Sequence, residues 1–403
     1  MFSNLTRSIA LFGLLLGGTA AEAAQELSGQ NTCQPGTGSV KLVAPPPAPL
    51  PELTAANPKV QRKLDRRGTI NLFGPWVETG HHPASDYGLT WHSWDEAPAG
   101  NSIWLKEMYW AYFYDRPDSR RAAYRFHVPE LDNFLEPERW EHDPEYGSTY
   151  RIAYRTPGFV EYSAEVADRM LKGTGAEGLM FDWWIDNHPK MDRSEVQSIR
   201  QAMAKAIRAK VGDEPILLGN VGREKEVATM GQLNGVFMEY WKKVPADGYD
   251  CPDLLRMEEL ITYYDEALQQ PKIVAFEPWR ISQTKGDQDR RSPVNQYLAK
   301  LFSAMASVAP RNGYILYTDN QRDTDASDHE HVRYDFYKTD LGRAVSGRTI
   351  IAPGISYKRF EKGVAIYNIS RQNAVVDFDG KTIEVRSVEG LFCTERKDGF
   401  DCI

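Results

Sequence analysis

The sequence predicts an α/β fold: a (β/α)8 barrel of the TIM type followed by a small C-terminal antiparallel β domain. Three observations predict it. Between Thr69 and Asn320, eight short apolar runs alternate with amphipathic or polar segments. The length of 403 residues suits one barrel with a small addition. After about Leu341 the pattern changes to strands in which apolar and polar residues alternate.

The eight runs are the expected barrel strands, because parallel strands buried on both faces are apolar throughout. They are residues 70–74, 103–105, 151–154, 178–181, 216–219, 235–238, 273–276 and 313–316. Helical spacing of apolar residues predicts helices over 195–211, 257–268 and 294–308, the first with Ser194 as its N-cap. The long, charged stretch 111–150 predicts an elaborated loop.

The N-terminus predicts export. An apolar stretch from Ile9 to about Gly18 precedes Ala21 and Ala23, which form an A-x-A cleavage pattern. The stretch is too short to span a bilayer, which needs roughly 20 residues. We therefore expect a periplasmic or secreted protein with no integral membrane segment after signal cleavage.

The whole chain divides into four predicted segments. Prolines dominate the second of them, so we expect neither a helix nor a central strand there. In the last one, Asp379 and Gly380 predict a hairpin turn. The segments are a signal peptide (1–23), a Pro-rich linker (24–66), the barrel (67–340) and the β domain (341–403).

Four cysteines in an exported chain suggest disulfides. Cys393 and Cys402 enclose a short polar turn and form the favoured pair, which leaves Cys33 with Cys251. The cysteine spacing is wrong for zinc, and His81, His82 and His92 show no recognisable ligand spacing. We predict no metal and no other cofactor.

Composition narrows the class of partner. A formal net charge of −8 argues against nucleic acid, because phosphate binding needs a basic surface. The chain contains 10 Trp and 20 Tyr, which indicate either a large aromatic core or a groove whose rings stack on sugars. No Gly-rich phosphate loop and no G-x-S-x-G motif is present. A polysaccharide is the expected partner, and the oligomeric state is not predicted.

Carboxylates follow several of the apolar runs at the point where each run ends. In a barrel this is the face that carries chemistry. Asp182 follows the fourth run and directly precedes a Trp, and Glu239 follows the sixth run with a Trp two residues later. Glycoside cleavage requires two carboxyl groups. We predict these two as the catalytic pair. Glu277, after the seventh run, is the main competitor, and Asp186 could serve the same site or cap the next segment.

Other polar and aromatic residues near the run ends are candidates for binding substrate. For each aromatic ring, a place in the core is the competing interpretation. The candidates are Trp76, Tyr109, Trp183, Trp184, Asn220, Tyr240, Trp241, Glu277, Trp279, Tyr317 and Asp319.

Three segments resemble motifs of a known family. They are GLMFDW at 178–183, RTPGF at 155–159 and GVFMEYW at 235–241. The sequence resembles the barrel glycosidases of family 114 and the hypothetical glycosyl hydrolase groups related to them, including the Pel hydrolase domain, over about Thr69 to Thr394. The resemblance implies catalytic carboxylates at Asp182 and Glu239 and cleavage of polysaccharides, some of them rich in galactosamine. The chain departs from the pattern at Glu177, where the family has Asp, and in 111–150.

The sequence therefore predicts an endo-acting glycoside hydrolase on a bacterial or environmental polysaccharide, with the retaining and inverting schemes both open. The alternative is a non-catalytic polysaccharide-binding or exopolysaccharide-assembly protein that keeps the barrel and an aromatic groove. A carbohydrate esterase would need a metal triad or an activated Ser, and neither is evident.

Overall fold

The structure is a computed structural model. It describes residues 38–75, 86–92, 97–98, 100–109, 113–115, 135–143, 147–152, 154–186, 188, 191–240, 249–281, 293–321 and 331–403. Of the predicted features, the signal peptide, Cys33, Trp76 and Trp241 lie outside these residues. No helix within the described ranges is long and apolar enough to cross a membrane.

The strands and helices are numbered in chain order. The strands are β1 (Ser39–Val43), β2 (Phe73–Pro75), β3 (Leu89–His92), β4 (Ile103–Tyr109), β5 (Phe113–Asp115), β6 (Leu135–Asp143), β7 (Gly147–Ile152), β8 (Gly178–Asp182), β9 (Ile216–Asn220), β10 (Gly235–Tyr240), β11 (Ile273–Ile281), β12 (Asn312–Ile315), β13 (Thr318–Gln321), β14 (Thr349–Ala352), β15 (Ile355–Phe360), β16 (Gly363–Asn368), β17 (Asn373–Phe378), β18 (Lys381–Val385), β19 (Glu389–Arg396) and β20 (Gly399–Cys402). The helices are α1 (Pro58–Leu64), α2 (Phe159–Thr174), α3 (Arg193–Val211), α4 (Cys251–Ala267) and α5 (Pro293–Val308), with a 3-10 turn at Asp335–Lys338.

Eight parallel strands form the barrel, in the order β2-β3-β4-β8-β9-β10-β11-β12. The two ends of this sheet meet, because Leu72 and Ile315 form a parallel bridge and the amide of Ile315 donates to the carbonyl of Asn71 at 2.9 Å. The predicted TIM-type barrel is therefore confirmed.

Side chains alternate between two cores along each barrel strand. Met180, Leu218 and Phe237 point into the barrel and pack with Trp91 and Tyr314. The residues between them point outward to the helices and belong to a second apolar cluster, which includes Leu179, Phe181, Leu217, Val236 and Met238. Burial on both faces explains why these strands are apolar throughout.

Two barrel strands differ from prediction. The run 151–154 is not in the barrel, since β7 pairs antiparallel with β5 and β6 in a separate three-stranded sheet. The eighth barrel strand is instead β3, which the sequence did not predict. It carries Thr90 and His92 on its outer face. Both side chains are buried, and Thr90 is hydrogen-bonded to Ser102 at 2.9 Å. Buried polar residues therefore interrupt the apolar run that would have marked this strand.

The three predicted helices are confirmed with small shifts of their ends, as α3, α4 and α5. Asp192, not Ser194, precedes the first residue of α3. The start of α4 lies earlier than predicted, because Asp250 and Asp253 form a capping box that accepts the free amides at its end.

The Pro-rich stretch 24–66 holds more structure than predicted. Asn57 caps α1 and Pro58 stands in its first turn, where a missing amide hydrogen costs nothing. Val60 and Leu64 of α1 pack into the barrel interior, so α1 closes the barrel's amino-terminal end. Earlier in the stretch, β1 pairs with β17 as an edge strand, a position that a proline-rich neighbourhood permits.

The C-terminal domain contains two sheets around one apolar core. The five-stranded sheet runs β14-β15-β16-β19-β20 and the three-stranded sheet runs β1-β17-β18. The predicted turn is present, with positive φ at both Asp379 and Gly380. The predicted Cys393–Cys402 disulfide joins the paired strands β19 and β20, and Cys251 is disulfide-bonded as well.

A buried lysine lies between this domain and the barrel. The ammonium group of Lys358, on β15, donates to the carbonyls of Ser307 and Pro310 at 2.8 and 2.6 Å, just at and beyond the end of α5. Burial lowers the pKa of Lys358 to about 7, and the cations Arg67 and Arg348 act in the same direction, whereas Asp265 opposes them.

This lysine should make stability depend on pH. Its pKa is lower in the folded chain than its ordinary value of 10.5, so the unfolded chain binds the proton more tightly between pH 7 and 10.5. The free energy of unfolding should therefore rise with pH across this range by roughly 1 kcal/mol per pH unit.

Denaturant unfolding at several pH values, compared between the native chain and Lys358→Met, isolates this effect. The variant should lose the rise, whereas Lys205→Met, at an exposed position of α3, should keep it. An unchanged pH dependence in Lys358→Met would contradict the assignment.

Candidate functional site

Polar side chains occupy the inward positions at the carboxyl ends of five consecutive barrel strands or strand ends. Asp182 ends β8, Asn220 ends β9, Glu239 lies near the end of β10, Glu277 lies in β11, and Thr318 follows β12. Each lies two residues beyond an inward-facing residue of the strand or, for Thr318, beyond Leu316. The apolar interior therefore changes to a polar layer at the face where barrel enzymes hold their substrates.

The amide of Asn220 joins two of the carboxylates. Its Nδ2 atom donates to Oδ1 of Asp182 at 2.9 Å and to Oε2 of Glu239 at 2.8 Å. Its Oδ1 atom accepts the backbone N–H of Gly222 at 3.0 Å. Because that oxygen is occupied by a donor, both amide hydrogens are directed at the carboxylates.

These contacts limit the distance between one oxygen of each carboxyl group. Two oxygens that are hydrogen-bonded to the same nitrogen cannot be further apart than the sum of the two nitrogen–oxygen distances. Oδ1 of Asp182 and Oε2 of Glu239 are therefore at most about 5.7 Å apart. Carboxyl pairs in retaining glycosidases are about 5–5.5 Å apart, and those in inverting enzymes about 6.5–9.5 Å.

Glu277 stands beside Glu239 but in different surroundings. The two residues are register partners on β10 and β11. Glu277 is 0% exposed and accepts a hydrogen bond from the hydroxyl of Thr318 at 2.6 Å, whereas Glu239 is partly exposed. Solvent therefore reaches Glu239 and does not reach Glu277.

The chain turns sharply after Asp182. Trp183 has a φ of 55°, in the left-handed region that bulky residues rarely adopt, and its side chain is 36% exposed. Trp184 is 1% exposed, and its Nε1 atom donates to Thr229 at 2.9 Å. One Trp therefore faces solvent beside Asp182, and the next one returns to the core.

A buried arginine holds this turn from below. Arg200, on α3, donates to the carbonyl of Trp184 at 2.5 Å and forms ion pairs with Asp186 and Glu226. Its guanidinium also lies over the Trp184 ring, 4.6 Å from the centroid. Asp186, which the sequence left open as a site residue, is therefore part of the support of the loop.

The structure brings some of the predicted site residues together. Asp182, Asn220, Glu239 and Glu277 form the polar layer, with Trp183 next to it. Trp279 is partly exposed and lies two residues beyond Glu277, on the same side of β11 by alternation. For Tyr109 and Asp319 only the strand position is described, and Tyr109 pairs with Asp182 in register.

Three predicted residues lie away from the layer. Tyr240, Tyr317 and Trp184 are buried in the cluster between barrel and helices. Tyr240 follows the inward-facing Glu239 by one position and therefore points outward, and Tyr317 donates to Asn295 of α5 at 3.0 Å. A sugar ring cannot stack on any of them in this arrangement, so the prediction that they bind substrate is corrected.

Two further polar residues on the inner side of the barrel were missed from the sequence. Glu107 is buried and pairs in register with Met180, an inward-facing residue, and Thr318 supports Glu277. The alternation of IWLKEMY at 103–109 could have indicated Glu107, because alternate residues of a strand point to the same side and Leu105 points inward.

The described histidine of the predicted loop, His92, lies on the outer face of the barrel. It stacks on Trp104, with 5.4 Å between the ring centroids. Across the described ranges, no three His, Cys, Asp or Glu side chains are grouped so as to hold a metal ion.

A cavity of about 1110 Å³ lies at the opposite end of the barrel, between α1, α4 and the C-terminal domain. The cations on its wall are engaged with neighbouring groups: Arg67 with Asn312, Arg311 with Asp265, and Arg343 with Glu361. These contacts join the barrel to the segments packed below it, away from the carboxylate layer.

No family model matches the chain, and no curated protein matches it either. Among solved structures, it is similar to the glycoside hydrolase domain of PelA from Pseudomonas aeruginosa, with 12% identity and a TM-score of 0.40 over 62% of this chain and 94% of that one. It is similar to an alpha-amylase from Geobacillus thermoleovorans complexed with acarbose, with 11% identity and a TM-score of 0.43 over 79% and 86% of the two chains. A GH27 β-L-arabinopyranosidase from Geobacillus stearothermophilus gives 11% identity and a TM-score of 0.41 over 92% and 96%.

The contact between Gly219 and Trp184 offers a test of the loop support. A Cβ atom at Gly219 would lie 2.8 Å from Cδ1 and 3.0 Å from Cγ of the Trp184 ring. Gly219→Ala should therefore displace the ring and lower the free energy of unfolding by about 1–3 kcal/mol. Denaturant unfolding and near-ultraviolet circular dichroism measure both effects. Gly231→Ala is the matched control, since a Cβ there meets nothing within 4 Å, and equal losses in the two variants would contradict the packing.

Proposed function

We propose that the protein is a glycoside hydrolase that cleaves a polysaccharide with Asp182 and Glu239 as its two catalytic carboxyl groups. The observation that carries the proposal is the amide of Asn220, which holds both carboxyl groups at one point of the barrel's carboxyl-terminal face. Two carboxylates that share one neutral donor are not explained by helix capping or by an ion pair. Glycoside cleavage does need two such groups on either side of a single bond.

The separation of the two groups supports a retaining mechanism. The upper bound of about 5.7 Å between Oδ1 of Asp182 and Oε2 of Glu239 is close to the carboxyl spacing of about 5–5.5 Å in retaining glycosidases. A direct attack by one carboxylate on the anomeric carbon fits this spacing. We therefore propose the scheme with a covalent intermediate; the sequence alone left the retaining and inverting schemes both open.

In the first step, a carboxylate oxygen of Asp182 attacks the anomeric carbon while Glu239 donates its proton to the leaving oxygen. The glycosidic bond breaks and an ester forms between the sugar and Asp182. In the second step, Glu239 takes a proton from water, the water oxygen attacks the anomeric carbon, and Asp182 leaves as a carboxylate. Glu239 suits the acid role, because it is partly exposed and can reach both the leaving group and water.

The aromatic residues near the pair support a sugar substrate. Trp183 presents an exposed ring directly after Asp182, and Trp279 lies partly exposed beyond Glu277. Flat apolar rings of this kind can stack on the faces of pyranose sugars. Action within a polysaccharide chain, export of the enzyme and a relationship to family 114 all belong to this proposal and rest on the sequence.

Replacing either carboxyl group should abolish catalysis without loss of the fold. We expect Asp182→Asn and Glu239→Gln each to lower the rate of cleavage by at least about 10²–10⁴-fold, because each removes a nucleophile or a proton donor. The measurement is release of reducing ends from a panel of neutral, cationic and anionic polysaccharides, with products identified by mass spectrometry.

Glu214→Gln serves as the control, since Glu214 is an exposed carboxylate just before β9, at the opposite end of the barrel from the polar layer. Cleavage that survives both catalytic substitutions would exclude this pair. Binding of a glycan by the native chain without any cleavage would favour the alternative of a non-catalytic binding or assembly protein.

The configuration at the anomeric carbon tests the mechanism separately. Proton NMR of the first products should show the anomer of the substrate retained, because two successive displacements restore it. Initial formation of the opposite anomer would contradict the covalent intermediate, even if both carboxyl groups proved essential.

A further inference from the structure

We propose that the cavity at the amino-terminal end of the barrel binds a small organic anion, namely a carboxylate on an apolar chain, and that Arg67 and Lys358 hold the carboxylate. Both residues line the cavity, whose volume of about 1110 Å³ is close to the upper end of the range for small-molecule sites, about 1,000 Å³. The site is separate from the polar layer, and the proposal does not depend on the proposed hydrolase function.

The first argument is the bonding of the two cations. The guanidinium of Arg67 donates to Oδ1 of Asn312 at 2.6 Å and to the carbonyl of Arg311 at 3.4 Å. The ammonium of Lys358 donates to two backbone carbonyls, at 2.8 and 2.6 Å. These acceptors are all neutral, and within the described ranges neither cation forms an ion pair with a carboxylate. An ammonium has three hydrogens, so one of them is left for a ligand.

The second argument is the charge around these two groups. Two other cations of the wall, Arg348 and Arg311, form ion pairs with Glu258 and Asp265. The carboxyl ends of α1 and α5 offset only about half an elementary charge each. Four further carboxylates line the cavity, and all of them are exposed to water, which screens their charge: Glu52, Asp65, Glu266 and Glu361. The inner wall therefore retains an excess of positive charge, which an anion would balance.

The two cations also act on each other. Burial lowers the pKa of Lys358 to about 7, and the charges of Arg67 and Arg348 act in the same direction, whereas Asp265 opposes them. Lys358 and Arg67 are therefore close enough to repel each other. A carboxylate that contacts both would be attracted by both and would raise the pKa of Lys358 again. Binding of the anion should consequently return a proton to Lys358.

The third argument is the apolar edge of the cavity. Leu50, Val345 and Ile350 line it, and each of these side chains is more than half exposed. They are three of the eight large apolar side chains that are exposed within the described ranges. Exposed apolar side chains that lie together mark a site for an apolar group. The ligand should therefore carry an apolar chain on its carboxylate, and inorganic anions should bind less well.

The test is isothermal titration calorimetry of the full chain with octanoate at pH 6.5. We expect saturable binding at one site. Acetate has the charge without the chain, and octylammonium has the chain with the opposite charge, so each should bind at least about tenfold more weakly. Lys358→Met and Arg67→Gln should each weaken octanoate binding by at least about tenfold, because each removes a hydrogen bond to a charged group.

Two pairs of variants separate the site from general effects. Lys205→Met removes an exposed cation of α3 and should leave octanoate binding unchanged. Val345→Thr keeps the shape of an apolar side chain at the cavity and should weaken binding several-fold. Val227→Thr is its matched control, since Val227 is equally exposed but does not line the cavity.

The pH dependence tests the part played by Lys358. Octanoate stays ionised between pH 6.5 and 9, whereas free Lys358 loses its proton above about pH 7. The affinity should therefore fall by up to about tenfold per pH unit above pH 7. Titrations in buffers with different heats of ionisation should show proton uptake on binding, and this uptake should disappear in Lys358→Met.

Several results would overturn the proposal. They are a lack of saturable octanoate binding, equal binding of octylammonium, and full affinity in Arg67→Gln and Lys358→Met. If Lys358→Met does not fold, Arg67→Gln and the proton uptake of the native chain decide. Asp182→Asn should bind octanoate normally, because Asp182 lies at the other end of the barrel. Failure of the hydrolase proposal therefore leaves this one standing, and the reverse is also true.

Discussion

The arrangement of the polar layer depends on one side chain, the amide of Asn220. A carboxamide has two hydrogens on one nitrogen, and here both are donated to carboxylates. The N–H of Gly222 occupies the amide oxygen and so prevents the group from turning round. A carboxylate in this position would repel both neighbours, and an apolar residue would leave them without this shared donor. The spacing of Asp182 and Glu239 is therefore set by a neutral group that takes no part in the proposed proton transfers.

The two ends of the barrel differ in the residues and contacts that they contain. At the amino-terminal end, α1 fills the interior, and the C-terminal domain packs on α5 through β16 and β19. The first 30 described residues connect these two supports, because β1 belongs to the β domain and α1 to the barrel. The carboxyl-terminal end contains the polar layer with the proposed catalytic pair instead. Stability and chemistry are thus separated along the barrel axis, as is general for this fold.

The sequence predicted the barrel and four of the polar residues at its mouth, because buried parallel strands and the residues that end them leave a clear pattern. It could not predict β3, because the partner of the outward-facing Thr90 is Ser102, twelve positions away and outside any local pattern. The sequence also predicted that Tyr240 binds substrate beside Glu239, and Trp184 beside Trp183. Adjacent residues cannot be separated in this way until it is known which of them points into the barrel and which points outward. Asp182, Glu239 and Glu277 differ in strand register, burial and hydrogen bonds. These properties depend on contacts between strands, so the sequence of a single strand does not reveal them.

The two tryptophans after Asp182 show how a buried contact can set the exposure of a functional candidate. Trp184 reaches the core only because Gly219 has no side chain, and it is then held by Thr229 and Arg200. To bring Trp184 there directly after Asp182, the backbone adopts the left-handed conformation at Trp183, which costs on the order of 1–3 kcal/mol for a residue other than glycine. The burial and the hydrogen bonds of Trp184 offset this cost. The same turn therefore exposes the ring of Trp183 and buries the ring of Trp184. A substitution at Gly219 would displace the buried ring and could change the position of the exposed one.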